Sequence, residues 1–167
     1  MKNTISLDDV SIRTTLRPGD LGYLVWMHGA LYAREYGYGL SFEAYVAGGL
    51  CEFYENYDPQ RSRLWLCEVD ARIVGSLLLL DRGAVAQLRY FLIEPEYRGI
   101  GLGSKLVRMY LAFLRECRYA GSYLWTTHEL ETAAFLYKRV GFELTAEKES
   151  TGFGKPLREQ RYDLVLP

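Results

Sequence analysis

The spacing of apolar residues changes along the chain, from a helical period in its first third to strand-like runs beyond it. Two series recur at helical spacing: Leu21, Leu24, Val25, His28 and Tyr32, then Phe42, Tyr45, Val46, Leu50 and Phe53. Asp20 and Ser41 stand where each helix would begin, and we expect them to act as N-caps. A short strand is predicted before the first helix, at residues 10–16, and the glycines of YGYG (residues 36–39) should end that helix.

Three strands are predicted next. Residues 63–69 and 72–80 flank the two-residue turn Asp70-Ala71, a pattern typical of a hairpin. Residues 84–93 form a third apolar run. Pro95 must end that strand, because proline has no N–H to donate to a neighbouring strand.

The rest of the chain alternates helices and strands. A helix with its apolar stripe on Leu106, Met109, Phe113 and Cys117 follows a glycine-rich loop. Then come a strand at 122–127, a helix at 131–140 that Gly141 should cap, and closing strands at 142–148 and 159–166. The order β-α-α-β-β-β-α-β-α-β-β predicts an α/β fold, with one mixed sheet and helices on both faces. The strand-helix-strand step across the glycine loop should be a right-handed parallel crossover.

Composition and charge argue against several classes of function but do not identify one. A chain of 167 residues suits a single domain over residues 1–167, and the net charge of −1 gives no reason to expect nucleic-acid or membrane partners. An apolar signal segment is not visible at the N-terminus, so a cytoplasmic protein is expected. The three cysteines form no C-x-x-C pair, which argues against a disulfide framework and against a metal site.

The glycine loop EPEYRGIGLGSKLV (residues 94–107) carries the clearest chemical signal. Its register fails the Walker motif, since Ser104 stands five residues after Gly99, and it fails the dinucleotide fingerprint G-x-G-x-x-G. What remains is Arg98-x-x-Gly101-x-Gly103 between a strand and a helix. Exposed backbone amides and a helix N-terminus favour a pyrophosphate there; the alternative is a tight turn that binds nothing.

Two segments resemble the GNAT family of N-acetyltransferases. FLIEPEYRGIGLGSKLV is similar to that family's motif A, and AAFLYKRVGF (residues 133–142) is similar to its motif B. The predicted element order also matches the acyl-CoA N-acyltransferase fold. The N-terminal half further resembles bacterial acetyltransferase domains that are fused to MarR-type regulators.

The resemblance implies that acetyl-CoA is the co-substrate, with no metal. In this family the strand before the loop and the strand after its helix, here 84–93 and 122–127, splay apart and hold the thioester between them. Strand edge and loop backbone would bind the pantetheine arm and the pyrophosphate: Phe91, Leu92, Ile93, Arg98, Gly99, Ile100, Gly101, Leu102, Gly103 and Ser104.

The resemblance also implies that Tyr137, the motif B tyrosine, is the general acid for the leaving thiolate. The base is open, because the central strand has no carboxylate and Trp125 stands where some relatives have glutamate. The candidates are His28, Glu35 and His128, each acting directly or through water.

An acceptor in this fold lies against the first two helices and the loop between the last two strands, so a small-molecule amine is the leading expectation. Both helices are rich in tyrosine, and TGFGKPL (residues 151–157) would line the same pocket. The alternatives are acetylation of a protein N-terminus or lysine, and an acyl-CoA-binding sensor with little turnover. Family members are often dimers, so a homodimer is a further expectation.

Overall fold

The computed structural model describes residues 5–167 and has one seven-stranded sheet in the order β1-β2-β3-β4-β5-β7-β6. Only β4 and β5 pair in parallel within this sheet, as the predicted crossover requires. The strands are β1 Ser11–Arg13, β2 Arg63–Val69, β3 Arg72–Arg82, β4 Val85–Ile93, β5 Gly121–Thr127, β6 Glu143–Ser150 and β7 Leu157–Val165. The helices are α1 Asp20–Tyr36, α2 Leu40–Glu55, α3 Leu102–Glu116 and α4 Glu131–Arg139, with 3₁₀ turns at Leu7–Asp9 and Pro95–Tyr97.

The helices cover the two faces of the sheet in pairs. One apolar core packs α3 and α4 against the sheet, and its members include Leu106 and Tyr110. A second core packs α1 and α2 against the opposite face, around Leu24 and Phe53. Burial of apolar side chains on both faces explains why the central strands are nearly continuous apolar runs. The mixed α/β fold predicted from the sequence is confirmed.

A β-bulge divides β4 into two parts. Leu78 pairs with Arg89 and Ser76 pairs with Leu92, so β4 has one residue more than β3 across this interval. Tyr90 takes up the extra length with φ of 50°, and its carbonyl accepts a 2.7 Å hydrogen bond from the Ser76 hydroxyl. Because side chains alternate along a strand, one extra residue exchanges the faces that the remaining side chains occupy.

The strands β4 and β5 pair only over their first halves. Their register ends at Leu88 opposite Leu124, next to the bulge. Beyond that point β4 continues beside β3 and β5 continues beside β7. The sheet therefore opens into a cleft between two neighbouring parallel strands, as the family resemblance implies.

Two predicted helix caps are wrong. The residue before α1 is Gly19, with φ of 95°, and Asp20 lies inside the first turn, where its carboxylate pairs with Arg13 at 2.7 Å. Similarly, α2 begins at Leu40 after Gly39, one residue ahead of Ser41. The predicted hairpin, the end of α1 in the YGYG segment and the left-handed Gly141 after α4 are confirmed.

Candidate active site

The cleft between β4 and β5 opens toward α1 and α2 and contains about 110 Å³ of solvent-accessible space. That volume exceeds the roughly 10–15 Å³ that a single water needs. About half of the residues that line it are aromatic, with contributions from both helices, both strands, α4 and the loop before β7. Those aromatic side chains are Tyr32, Tyr38, Phe42, Tyr45, Tyr90, Phe91, Trp125, Tyr137 and Phe153. Phe153 belongs to the TGFGKPL loop, which the sequence predicts to line the acceptor pocket.

His28 lines the cleft from α1. Its Nδ1 lies 2.8 Å from the Leu24 carbonyl, so Nδ1 carries the proton and Nε2 keeps its lone pair. Nε2 is buried and has no hydrogen-bond partner among residues 5–167. Burial lowers the pKa of His28 to about 4, so the ring is neutral at pH 7. The cleft therefore contains a neutral acceptor that awaits an N–H or O–H donor.

Tyr137 lines the cleft from α4 and is 4% exposed. Its ring packs on Phe91, Phe142 and Tyr162, with centroids about 6 Å apart. Burial, with a smaller contribution from Tyr32, raises the pKa of Tyr137 well above its usual value. The hydroxyl is therefore protonated at neutral pH and is a donor.

Two ionised side chains of opposite sign line the cleft within residues 5–167. Arg89 projects from β4 on the face of α2, and Glu159 lies on β7 in register with Thr127 of β5. The only salt bridge of Glu159 in that part of the chain is a 3.6 Å contact with the exposed Lys148. Neither Arg89 nor Glu159 is among the site residues predicted from the sequence.

Two of the three predicted bases lie outside the cleft. The Glu35 carboxylate accepts two hydrogen bonds from Arg98, at 2.9 and 3.0 Å. His128 is exposed, and its Nδ1 accepts a 3.1 Å hydrogen bond from the backbone N–H of Arg158. The structure thus brings His28 and Tyr137 together in one cavity and leaves Glu35 and His128 outside it.

The glycine loop has the backbone that an anion site requires. Gly99 and Gly101 have φ of 78° and 90°, conformations that favour glycine. Gly101 is the N-cap of α3, so the first amides of that helix, at Leu102, Gly103 and Ser104, have no carbonyl a turn earlier to bind. The first turn of α3 has no acidic residue, and the helix dipole adds positive potential.

Arg98 and the second half of β4 frame the loop. Arg98 donates to the Ile93 carbonyl at 2.9 Å as well as to Glu35, so it links the loop to α1. Phe91, Leu92 and Ile93 follow the point where β4 leaves β5, so β5 does not pair with this edge of β4 and an extended ligand could take its place. The Ile93 carbonyl is the group of this segment that Arg98 already occupies. Ile100, between the two left-handed glycines, packs partly buried against the α3 core.

Two other kinds of site are absent from the described part of the chain. Within residues 5–167, no group of three or more His, Cys, Asp or Glu side chains is arranged to hold a metal ion. Over the same residues, none of the helices combines the length and apolar character needed to cross a bilayer.

The sequence is similar to that of one known protein family. The model of the acetyltransferase (GNAT) family matches residues 30–142. Among curated proteins, the uncharacterized N-acetyltransferase YjgM of Escherichia coli is 32% identical over 98 residues, which cover 56% of this chain and 59% of that protein. The chain therefore spans little more than half of this relative's length.

Solved structures show the same fold at low sequence identity. An acetyltransferase from Streptococcus agalactiae superposes with a TM-score of 0.71 at 21% identity, covering 95% of this chain and 99% of that one. A GNAT family acetyltransferase from Elizabethkingia anophelis, solved with acetyl-CoA bound, superposes with a TM-score of 0.64 at 13% identity and the same coverage.

Proposed function

The chain belongs to the acetyltransferase (GNAT) family, and from that membership we propose that it transfers the acetyl group of acetyl-CoA to the amine of a small molecule. Both substrates would be bound together in a ternary complex. One observation carries the proposal: β4 and β5 separate after Leu88 and Leu124, and Tyr137 and His28 both line the gap. The resemblance to MarR-fused acetyltransferase domains is a finer kinship that we also propose.

The residues of the loop and of β4 fit acetyl-CoA. The α3 amides and the left-handed glycines would hold the pyrophosphate, and the edge of β4 at Phe91–Ile93, which β5 does not pair with, would bind the pantetheine amides. Acetyl-CoA supplies an activated thioester. Bound along β4, its reactive end would lie in the cleft between β4 and β5, within the cavity that Tyr137 and His28 share.

His28 is the group that we propose to hold the acceptor amine. An alkylamine with a pKa near 10.4 is mostly protonated at pH 7, and freeing its lone pair costs roughly 4–5 kcal/mol. A buried imidazole with a pKa of about 4 does not take the proton from that ammonium, but its Nε2 lone pair can accept a hydrogen bond from the acceptor nitrogen and so hold it in the cleft. The Glu159 carboxylate, which lines the same cleft, would receive the proton through water.

Tyr137 acts on the leaving group in this proposal. As the amine nitrogen bonds to the carbonyl carbon, the carbon–sulfur bond breaks and negative charge grows on sulfur. The raised pKa of Tyr137 keeps its hydroxyl protonated, so the O–H can donate to the sulfur as that charge develops.

A small molecule suits the cleft better than a peptide. The walls come from α1, α2 and the loop before β7, and that loop is fixed to the start of α2 by a 2.9 Å hydrogen bond from the Gly39 N–H to the Phe153 carbonyl. Lys155 adds bonds to the Tyr36 carbonyl at 2.8 Å and to Glu129 at 2.6 Å. These contacts tie the loop before β7 to its neighbours, so we expect this wall of the cleft to hinder an extended chain.

The first test is thermal unfolding with acetyl-CoA, NADH or ATP. A ligand bound only by the folded state at about 100 times its Kd stabilises by roughly 2.7 kcal/mol. We expect Tm to rise by about 5–10 °C with acetyl-CoA alone, since roughly 2–4 °C accompany each kcal/mol at this chain length. The proposal is wrong if a large excess of acetyl-CoA leaves Tm unchanged.

The second test is release of CoA thiol with a panel of amines and peptides. Turnover with small amines and not with peptides is the expected result. Peptide turnover would favour a protein acetyltransferase instead. Stabilisation by acetyl-CoA with no turnover across the panel would favour an acyl-CoA sensor.

A further inference from the structure

We propose that Arg89 binds a carboxylate of the acceptor, and hence that the acceptor is an amine that also carries a carboxylate, as an α-amino acid does. The inference rests on the transfer reaction proposed above. Arg89 belongs to the part of β4 just before the bulge, and it lines both the cleft and a second, shallower cavity along α2. It therefore lies in the wall that these two cavities share.

The Arg89 guanidinium is nearly buried and has unused hydrogen-bonding capacity. Its side chain is 10% exposed, and its salt bridge is a 3.9 Å contact from Nη1 to Glu52 Oε2. The other Glu52 oxygen is taken by Arg82 at 2.6 Å. Within residues 5–167 the Arg89 guanidinium donates no hydrogen bond, although a nearly buried charge is costly without partners. A carboxylate could accept two parallel bonds from it, the strong geometry for this pair.

The surrounding residues fix the guanidinium in place. Its Cζ lies 4.8 Å from the ring centroid of Tyr90 and 5.3 Å from that of Tyr45. Gly49 of α2 lets the helix backbone come close: a methyl group there would overlap the Tyr90 hydroxyl and approach Arg89 Nη2 to 2.6 Å. Because the fork is held before any ligand arrives, little side-chain entropy is lost when a carboxylate binds.

The charges of the cleft match an amino acid. Arg89 is the positive side chain of its lining and Glu159 the negative one, while His28 is neutral. Along the α2 wall, Arg82 and Arg89 face the single carboxylate Glu52, which leaves an excess of one positive charge. A zwitterionic acceptor can place its carboxylate at Arg89 and its ammonium toward Glu159. The aromatic walls then suit an apolar side chain.

The test uses matched pairs of acceptors with acetyl-CoA: phenylalanine and phenylethylamine, tyrosine and tyramine, leucine and isoamylamine. For the amino acids that are turned over fastest, we expect kcat/KM to exceed that of the matching amine by at least about tenfold. That ratio corresponds to the contribution of one hydrogen bond between charged groups. Arg89→Ala should remove this preference by raising KM for the amino acid at least about tenfold more than KM for the matching amine. Arg89→Lys should keep part of it, and Arg108→Ala, on the exposed face of α3, should keep all of it.

A binding measurement separates this inference from the proposed reaction. Calorimetry with CoA present compares N-acetylphenylalanine with N-acetylphenylethylamine, and likewise for the other pairs. Tighter binding of the carboxylate member that depends on Arg89 supports the inference even if no acceptor is turned over. Equal use of both members overturns the inference and leaves the transferase function standing. Absence of any carboxylate preference in both turnover and binding also overturns it.

Discussion

Backbone groups form one end of the cleft, and side chains form the other. The end proposed for acetyl-CoA consists of backbone: left-handed Gly99 and Gly101, the first amides of α3 and the edge of β4 that β5 does not pair with. The end proposed for the acceptor consists of side chains such as His28, Arg89 and Glu159, which come from three separate elements. A backbone site depends on φ and therefore on glycine, whereas a side-chain site depends on residue identity. Substitutions at the two ends should consequently have different effects on binding and turnover.

Tyr137 stands where the two ends meet and should give the largest effect. Loss of a positioned proton donor lowers turnover by about 100-fold or more. We expect Tyr137→Phe to reduce kcat by that factor without weakening acetyl-CoA binding, as judged by thermal stabilisation. Tyr162→Phe is the matched control, because Tyr162 is equally buried and packs against Tyr137 but does not line the cleft. Unchanged kcat in Tyr137→Phe would remove Tyr137 from the mechanism.

Gly101→Val tests the backbone end. A β-branched residue at φ of 90° is strained by more than the roughly 1–2 kcal/mol usual for non-glycine residues in left-handed conformation, so the loop must rearrange. We expect affinity for acetyl-CoA, measured by calorimetry, to fall by about 10- to 100-fold. Gly83→Val introduces the same strain in a remote turn with φ of 84° and free space around it. Equal losses in both variants would mean that general destabilisation, not the loop, is responsible.

At the side-chain end, the burial of His28 can be tested by the pH dependence of the free energy of unfolding. Its folded-state pKa of about 4 lies below the unfolded value of 6.5, so the unfolded chain binds a proton first as pH falls. The stabilisation is present above pH 6.5 and is lost between pH 6.5 and 4. From pH 7.5 to 5 this loss amounts to about 2 kcal/mol.

Urea unfolding at the two pH values measures that contribution. His28→Gln, which cannot titrate, should lose about 2 kcal/mol less than the native protein across the same interval. His128→Gln, at the exposed histidine, provides the control. If the native protein and His28→Gln show the same pH dependence, His28 is not held neutral by burial.

Glu35→Gln should give the smallest effect. Glu35 pairs with the half-exposed Arg98 and does not line the cleft, so its loss removes an ion pair worth about 0–1 kcal/mol. We expect kcat to change by less than about threefold and Tm by a few degrees at most. A fall in kcat comparable with that of Tyr137→Phe would restore Glu35 as the base.

Local signals predicted most of the fold. The hairpin around Asp70-Ala71, the end of α1 at YGYG and the helix that ends before Gly141 each depend on a few adjacent residues. The N-caps predicted at Asp20 and Ser41 are both wrong. For Asp20 the cause is a tertiary contact, because its carboxylate forms a salt bridge with Arg13 of β1. In both cases a glycine directly before the helix supplies the N-cap.

The candidate site was predictable only where it is contiguous in sequence. The glycine loop and the Tyr137 segment are short motifs. Arg89 and Glu159 come together through strand order, with β7 beside β5 and α2 against β4, and no local pattern encodes those neighbours. Gly49 appears in the sequence only as a weak helix residue, and the close approach of Tyr90 and Arg89 gives it a role.

The extra residue in β4 determines which of its side chains face each side of the sheet beside the cleft. Ala86 and Leu88 face the α3 core, yet so do Phe91 and Ile93, while Tyr90 and Leu92 face the α1 core. Even positions thus give way to odd ones within a single strand. Substitution preserves the residue count. Removing one residue between Leu88 and Phe91 would restore strict alternation with Phe91 and Ile93 still on the α3 side, but the bulge beside which β4 and β5 separate would be lost. A deletion elsewhere in β4 would instead exchange the faces of the side chains beyond it, so deletion scanning distinguishes the bulge from the rest of the strand, which alanine scanning does not.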